Sequence, residues 1–221
     1  MEASERASAP IIDISLAVGP EMLVWPGDPG VRLEPVLRLD RGDGFNVSEL
    51  SLGTHTGTHV DPPSHFLGGG TAVDQLPLEV LVGPALVADL TRVEDEIGLR
   101  ELASLDLEDG IERLLFKTRN SQLWERSPIS FPQRYVGLSP EGARWVAERG
   151  IRLVGMDFLS IEPSGSEGYP THLTLLEAGV IIVEGLDLGS VEPGHYMLAC
   201  LPLRLTGGDG APARAALIRD W

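Results

Sequence analysis

The segment His55-Thr56-Gly57-Thr58-His59-Val60-Asp61-Pro62-Pro63-Ser64-His65 carries three of the chain's five histidines within eleven residues, and it restricts the backbone as tightly as the chemistry. Its period decides its geometry. On a strand, His55, Gly57, His59 and Asp61 share one face. On a helix His55 and His59 would also meet, but Gly57 and the branched Thr56, Thr58 and Val60 disfavour that conformation. The spacing therefore predicts a strand or an extended rim segment. A straight strand would hold His55 and Asp61 about 20 Å apart, so convergence needs a bend. Gly57 makes the bend inexpensive, and Pro62-Pro63 redirects the chain so that His65 returns toward the same pocket.

Neutral imidazole nitrogens and a carboxylate are the N and O donors preferred by Zn, Mn or Fe, which makes His55, His59 and Asp61 candidate metal ligands. For His65 three roles stay open: proton transfer, direct ligation, or a structural hydrogen bond. Its ordinary pKa near neutrality suits the first. Farther along, Glu184 ends the apolar run Val180-Ile181-Ile182-Val183, where a buried carboxylate needs a counter-charge or a metal. His172 opens a short helical run closed by Ala178-Gly179. If the fold returns both to the first cluster, a carboxylate could bridge two metals. Trp25 lies in the turn-rich Trp25-Pro26-Gly27-Asp28-Pro29-Gly30, where it either packs the loop or forms the aromatic wall of a pocket.

Around these residues the pattern alternates strands and helices. Strands are expected over residues 11–16, 31–39, 45–52, 81–90, 111–117, 151–156 and 180–184, with a helix over 94–102. A second helix begins at Ser139, a capping residue followed by Pro140 in the first turn, and stops at Gly150. This alternation predicts an α/β chain with helices packed on a mixed sheet. At 221 residues and 43% hydrophobic composition the chain can bury a substantial core, so one domain over residues 11–221 is expected after a loose tail at 1–10.

The net charge of −16, with no basic cluster, argues against nucleic acid as a partner. No stretch approaches the roughly 18 apolar residues of a membrane span, and the start lacks the basic and apolar pattern of a signal peptide, so a cytoplasmic location is expected. The lone Cys200 lies in an apolar run and reads as a buried, unreactive thiol. His195 is expected in a turn, structural or exposed, and Trp124, Trp145 and Trp221 as packing residues.

The segment 55–65 resembles the signature of the metal-dependent cyclase-like hydrolase family, which includes bacterial kynurenine formamidases and related ring-opening amide hydrolases. The likeness extends to Phe66, Gly155-Met156-Asp157-Phe158-Leu159-Ser160, Thr171-His172, Val183-Glu184-Gly185-Leu186, Leu201-Pro202-Leu203-Arg204-Leu205 and the glycine-rich segment 207–214. The stretch Asp157 to Ser164 departs from the threonine-proline-serine pattern common in the kynurenine formamidase branch. The resemblance implies a mixed sheet or partial barrel with packed helices, similar to the swivelling β/β/α fold of cyclase-like hydrolases. It implies that His55, His59 and Asp61 bind one metal and that Asp61 and Glu184 bridge to a second site that also uses His172. His65 then corresponds to the acid or base and Trp25 to an aromatic residue of the substrate pocket. The implied cofactor is two Zn ions per chain, or Mn, and the implied assembly is a homodimer. The expected activity is hydrolysis of an N-formyl arylamine, best matched by N-formyl-kynurenine in tryptophan catabolism, through attack of a metal-bound hydroxide. Opening of a cyclic amide or imide, as in isatin hydrolases, is the alternative substrate chemistry, and a non-catalytic, metal-stabilised binding protein the alternative class.

Overall fold

Alternating apolar positions become the strands of a closed barrel. The computed structural model describes residues 10–105, 107–125 and 130–219. Residues 1–9 of the expected tail and Trp221 lie outside the described residues; Pro10 is already tied down, its carbonyl accepting the Arg219 amide at 2.9 Å. In chain order the strands are β1 (Ile11–Asp13), β2 (Arg32–Leu37), β3 (Val47–Ser51), β4 (His59–Asp61), β5 (Val82–Asp89) and β6 (Glu96–Ile97). They continue as β7 (Arg113–Lys117), β8 (Gly137–Leu138), β9 (Leu153–Met156), β10 (Ile181–Glu184), β11 (Gly194–Pro202) and β12 (Ala211–Ile218). The helices are α1 (Leu78–Leu81), α2 (Leu99–Ala103), α3 (Pro140–Glu148) and α4 (Pro170–Glu177).

Seven strands close in the order β12-β11-β5-β7-β9-β10-β4, with β4 pairing back onto β12 and β1 added along β12. The β5-β7-β9-β10 run is parallel and the remaining junctions are antiparallel. The period of two sorts the side chains. Val60, Val87, Leu115, Leu153, Val183, Leu198 and Leu217 fill the barrel interior. The alternate positions Leu114, Phe116, Val154, Met156 and Ile182 face outward, onto Ala143 and Val146 of α3 and Leu175 and Leu176 of α4. Gly155 permits the tight interior: a Cβ there would lie 2.5 Å from Leu115 Cδ2 and 2.7 Å from Leu186 Cδ1. The α3 prediction holds, with the Ser139 hydroxyl accepting the Gly142 amide at 3.0 Å.

Two expectations change, and two expected strands pair in an exposed hairpin. The helix foreseen over 94–102 begins only at Leu99, because Ile97 is buried in a two-strand pairing of β6 with β8 and Gly98 delays the helix. Strands β2 and β3 form a hairpin whose residues are almost all exposed, among them Leu33, Val36, Val47 and Leu50. Alternation there marks apolar side chains that nothing within the described residues covers. His195 lies within β11 opposite Leu86, not in a turn, and is exposed as expected. Cys200 is fully buried, and burial pushes its thiol up to about 12, as an inert thiol requires.

A buried carboxylate ties the end of β9 to the segment after β7. Asp157 accepts the Thr118 amide and hydroxyl, each at 2.7 Å, and the Ser121 amide and hydroxyl at 3.1 and 2.7 Å. Removing this acceptor strands buried donors. Asp157→Ala is therefore expected to cost about 3 kcal/mol, read as a lower denaturant midpoint at unchanged slope; a loss below about 1 kcal/mol would refute the assignment.

Candidate metal centre

The pairing of β4 with β10 assembles the cluster. In this antiparallel pair Val60 lies opposite Val183, His59 opposite Glu184 and Asp61 opposite Ile182. With the two valines inside the barrel, His59, Asp61 and Glu184 must point outward, toward the helix layer. There α4 brings in His172. Upstream, Gly57 adopts φ +66° and the chain bends before β4, which places the His55 ring at 5.1 Å from that of His59. After β4, the turn of 3-10 helix over Pro63–His65 brings His65 to stack on His55 at 3.9 Å between ring centres. Two close backbone approaches need glycine. A Cβ on Gly185 would lie 2.2 Å from Gly57 O, and one on Gly210 would lie 2.5 Å from the His55 ring.

All six residues expected to form the centre thus converge. His59 Nδ1 donates to Gly57 O at 2.8 Å, leaving Nε2 at 3.4 Å from both Asp61 Oδ1 and Glu184 Oε2. His55 Nδ1 lies 2.8 Å from Asp61 Oδ1. His172 Nε2 is 3.1 Å from Glu184 Oε1 and 4.0 Å from Asp61 Oδ2. Donor atoms fall into two overlapping triplets, His55–Asp61–His65 and His59–Asp61–Glu184, each with its atoms within 4.8 Å of one another. Asp61 is common to both.

The electrostatics follow from burying carboxylates beside imidazoles. Burial opposes charge on His59, but Asp61 and Glu184 outweigh it and raise its pKa to about 9. His172 is likewise opposed by burial and raised to about 10 by Glu162 and Glu184. Burial works against ionised Asp61 and Glu184 too, yet the neighbouring histidines hold both below the usual carboxylate range. His65 goes the other way: burial lowers it, Asp61 only partly offsets that, and a neutral imidazole results near pH 7. His55 Nε2 and Asp61 Oδ2 are buried without a hydrogen-bond partner. Unpaired buried polar atoms are costly, and a divalent cation accepting these N and O donors removes that cost, so the residues fit a metal.

Aromatic rings pack on the cluster, and a second aromatic group forms around Trp25. Phe66 lies 4.3 Å from the His65 ring and 4.8 Å from His172, with Tyr169 at 5.1 Å. Trp25 sits in the expected turn, closed by Asp28 N to Trp25 O at 3.0 Å, and meets Phe131 and Tyr135 edge-on at 5.1 and 6.3 Å. Tyr135 stacks on Phe158 at 4.1 Å, and burial, reinforced by Glu184 and Glu162, pushes its phenol up to about 12. Trp25 is therefore joined through Tyr135 to Phe158. Trp124 packs on Phe158 and donates to Leu186 O at 3.1 Å, and Trp145 lies under Arg149, both packing roles.

Sequence reasoning gave no role to Glu162, Tyr135, Phe131 or Tyr169. Glu162 appeared only as part of a family-like stretch, yet its carboxylate accepts the His172 Nδ1 proton at 2.8 Å. No spacing rule connects it to His172, and the aromatic residues have no local pattern either.

Known proteins are similar to this chain in sequence and fold. The Cyclase family model ("Putative cyclase") matches residues 12–163. A kynurenine formamidase of Salinibacter ruber is 41% identical over 209 residues, 94% of this chain and 96% of that protein. A solved structure described as a potential metal-dependent hydrolase with cyclase activity superposes with a TM-score of 0.81 at 38% identity, covering 94% of this chain and 96% of that one. Isatin hydrolase A from Labrenzia aggregata superposes with a TM-score of 0.79 at 26% identity, covering 94% and 93%. With the barrel closed, the outward cluster formed and these matches spanning most of the chain, the protein belongs to the cyclase family.

Proposed function

We propose that residues 11–221 act as one metal-dependent amidohydrolase domain that cleaves an N-formyl arylamine, with N-formyl-kynurenine giving kynurenine and formate as the reaction. The observation that carries this reading is the buried set His59, Asp61, Glu184 and His172 beside the unpaired His55 Nε2 and Asp61 Oδ2. Its substrate assignment draws on the 41% identity to a kynurenine formamidase along nearly the whole of both chains. Two Zn ions per chain suit a donor set of His55, His59, Asp61, His172 and Glu184, with His65 beside it, and this all-N,O set would equally hold Mn.

When bound, the cation polarises a carbonyl oxygen and acidifies water at neutral pH. The chain supplies the rest. Asp61 and Glu184 remain ionised and provide the negative charge that holds the cation. His59, oriented by Gly57 O, presents Nε2 to the same position. His65, neutral and half-buried, is placed to accept a proton from the attacking water and pass it to the departing arylamine nitrogen as its bond to the formyl carbon breaks. Phe66 and Tyr169 offer apolar faces for an aromatic substrate, with Trp25 as the further aromatic residue of the substrate pocket.

No helix of the described residues is long and apolar enough to cross a membrane. We further propose a cytoplasmic enzyme working on a small molecule within tryptophan catabolism. It assembles as a homodimer through the β2-β3 hairpin, whose exposed Leu33, Val36, Phe45 and Leu50 form an apolar surface that an isolated two-stranded ribbon could not sustain alone.

Three measurements test these statements. His59→Ala is expected to lose both bound metal, by elemental analysis, and activity, whereas His65→Ala keeps its metal and loses about 100-fold or more in turnover. Near-wild-type turnover of His65→Ala would remove it from proton transfer, and full activity in a verified metal-free preparation would sink the hydrolytic mechanism. Parallel rates on N-formyl-kynurenine and a panel of cyclic amides decide the substrate. The formamide should be favoured by more than about 10-fold, or about 1.4 kcal/mol; the reverse preference would favour the ring-opening chemistry of the isatin hydrolase neighbour, and no turnover at all a binding protein. Light scattering should give twice the chain mass, falling to the monomer when Leu33 and Leu50 are both replaced by Lys.

A further inference from the structure

The helix α4, which delivers His172, begins without a side-chain cap of its own. Its N-cap is Tyr169, held at φ 55° in the left-handed region, and its first residue is Pro170. The amides of the next two residues are instead taken by Glu162, from the loop after β9: Thr171 N donates to Oε1 at 3.1 Å and His172 N to Oε2 at 3.2 Å. The same Oε2 accepts the Nδ1 proton of His172 at 2.8 Å, and Ser166 Oγ donates to Oε1 at 2.9 Å. Both carboxylate oxygens are thus fully engaged, and the residue is only 5% exposed. An ionised carboxylate at this spot is favoured by four donors and by the positive end of the helix.

One consequence is local and mechanical. Backbone and ring of His172 are gripped by a single rigid group, so the imidazole can turn neither about its own axis nor with the helix. The other consequence is electronic. With Nδ1 carrying the proton donated to Glu162, the second ring nitrogen, Nε2, is the one aimed at Glu184 Oε1 and Asp61 Oδ2, at 3.1 and 4.0 Å. An imidazole whose far N–H is given to a carboxylate is a stronger and better-aimed donor to a cation.

We infer that Glu162 is a positioning residue of the metal centre: by fixing the ring orientation and tautomer of His172, it governs binding of the cation held on the His172 side, without touching that cation itself. The inference rests on the metalloenzyme reading above. It also accounts for a buried acid that the proposed reaction does not otherwise use.

The test compares the full-length wild-type protein with Glu162→Gln and Glu162→Asp by zinc titration against a competing chelator, with imidazole nitrogen NMR of the zinc-loaded proteins. Glu162→Gln retains size and an acceptor oxygen for the helix amides but removes the charge. One zinc equivalent should weaken about 10- to 100-fold while the other keeps its affinity, and the Nδ1–H signature of His172 should be lost or shifted. Glu162→Asp, which restores the charge at a shorter reach, should recover part of both effects. A helix cap alone would change thermal stability while leaving zinc affinity and tautomer as in wild type; that result would overturn the inference while leaving the metalloenzyme reading intact. Equal weakening of both equivalents would also overturn it. Failure of the wild-type protein to bind zinc or manganese would instead strike the metalloenzyme reading, and the inference with it.

Discussion

Much of this molecule depends on the register in which a three-residue strand closes the barrel. The segment His59–Asp61 pairs on one edge with Glu184, Val183 and Ile182 and on the other with Ala211 and Pro212, so it is the stave that joins the two ends of the sheet. Because side chains alternate, setting Val60 against Val183 inside the barrel obliges His59, Asp61 and Glu184 to leave it together. A slip by one residue would put two ionisable groups into a core of Val, Leu and Ile and expose a valine. The hydrophobic interior and the metal centre are therefore enforced by the same hydrogen-bond ladder, and neither can shift alone.

The outward cluster sits beneath α4 and the loops, so its charges are buried without being in the core. Two ionised carboxylates close together repel, and the surrounding histidines outweigh that repulsion and the burial, holding both below the usual carboxylate range. A cation competes for the sites those protons occupy, which couples binding to proton release. Charge is balanced by geometry: Gly57 O sets the ring of His59, Glu162 sets that of His172, and each leaves Nε2 facing the carboxylates. His65 differs because burial dominates over its acidic neighbours, and a group kept neutral can exchange a proton where its charged neighbours cannot.

The aromatic surroundings and the hairpin extend the same logic outward. The Phe66 ring packs on His65 and His172, with Tyr169 against Phe66, so aromatic faces restrain the histidines. The hairpin contributes nothing to the barrel's core. Its apolar residues satisfy the strand pattern without burial among the described residues.

The motif at residues 55–65 was legible because its information is local. Spacing set which side chains share a face, Gly57 marked the bend later seen at φ +66°, and Pro62-Pro63 marked the return that stacks His65 on His55. Capping at Ser139 and the apolar runs of β9 and β10 were read for the same reason, each depending on neighbours within a few residues. The sheet order, the closure of β4 onto β12, and the delayed start of α2 behind buried Ile97 were decided by pairings between distant segments. Glu162 lies ten residues from His172 and reaches it only because a loop folds back on the helix start. The sequence by itself thus determined the donor chemistry and the local backbone that carries it. Only the tertiary structure decided which donors meet, how the imidazoles are oriented and which apolar faces stay open, because those depend on long-range packing that no local period encodes.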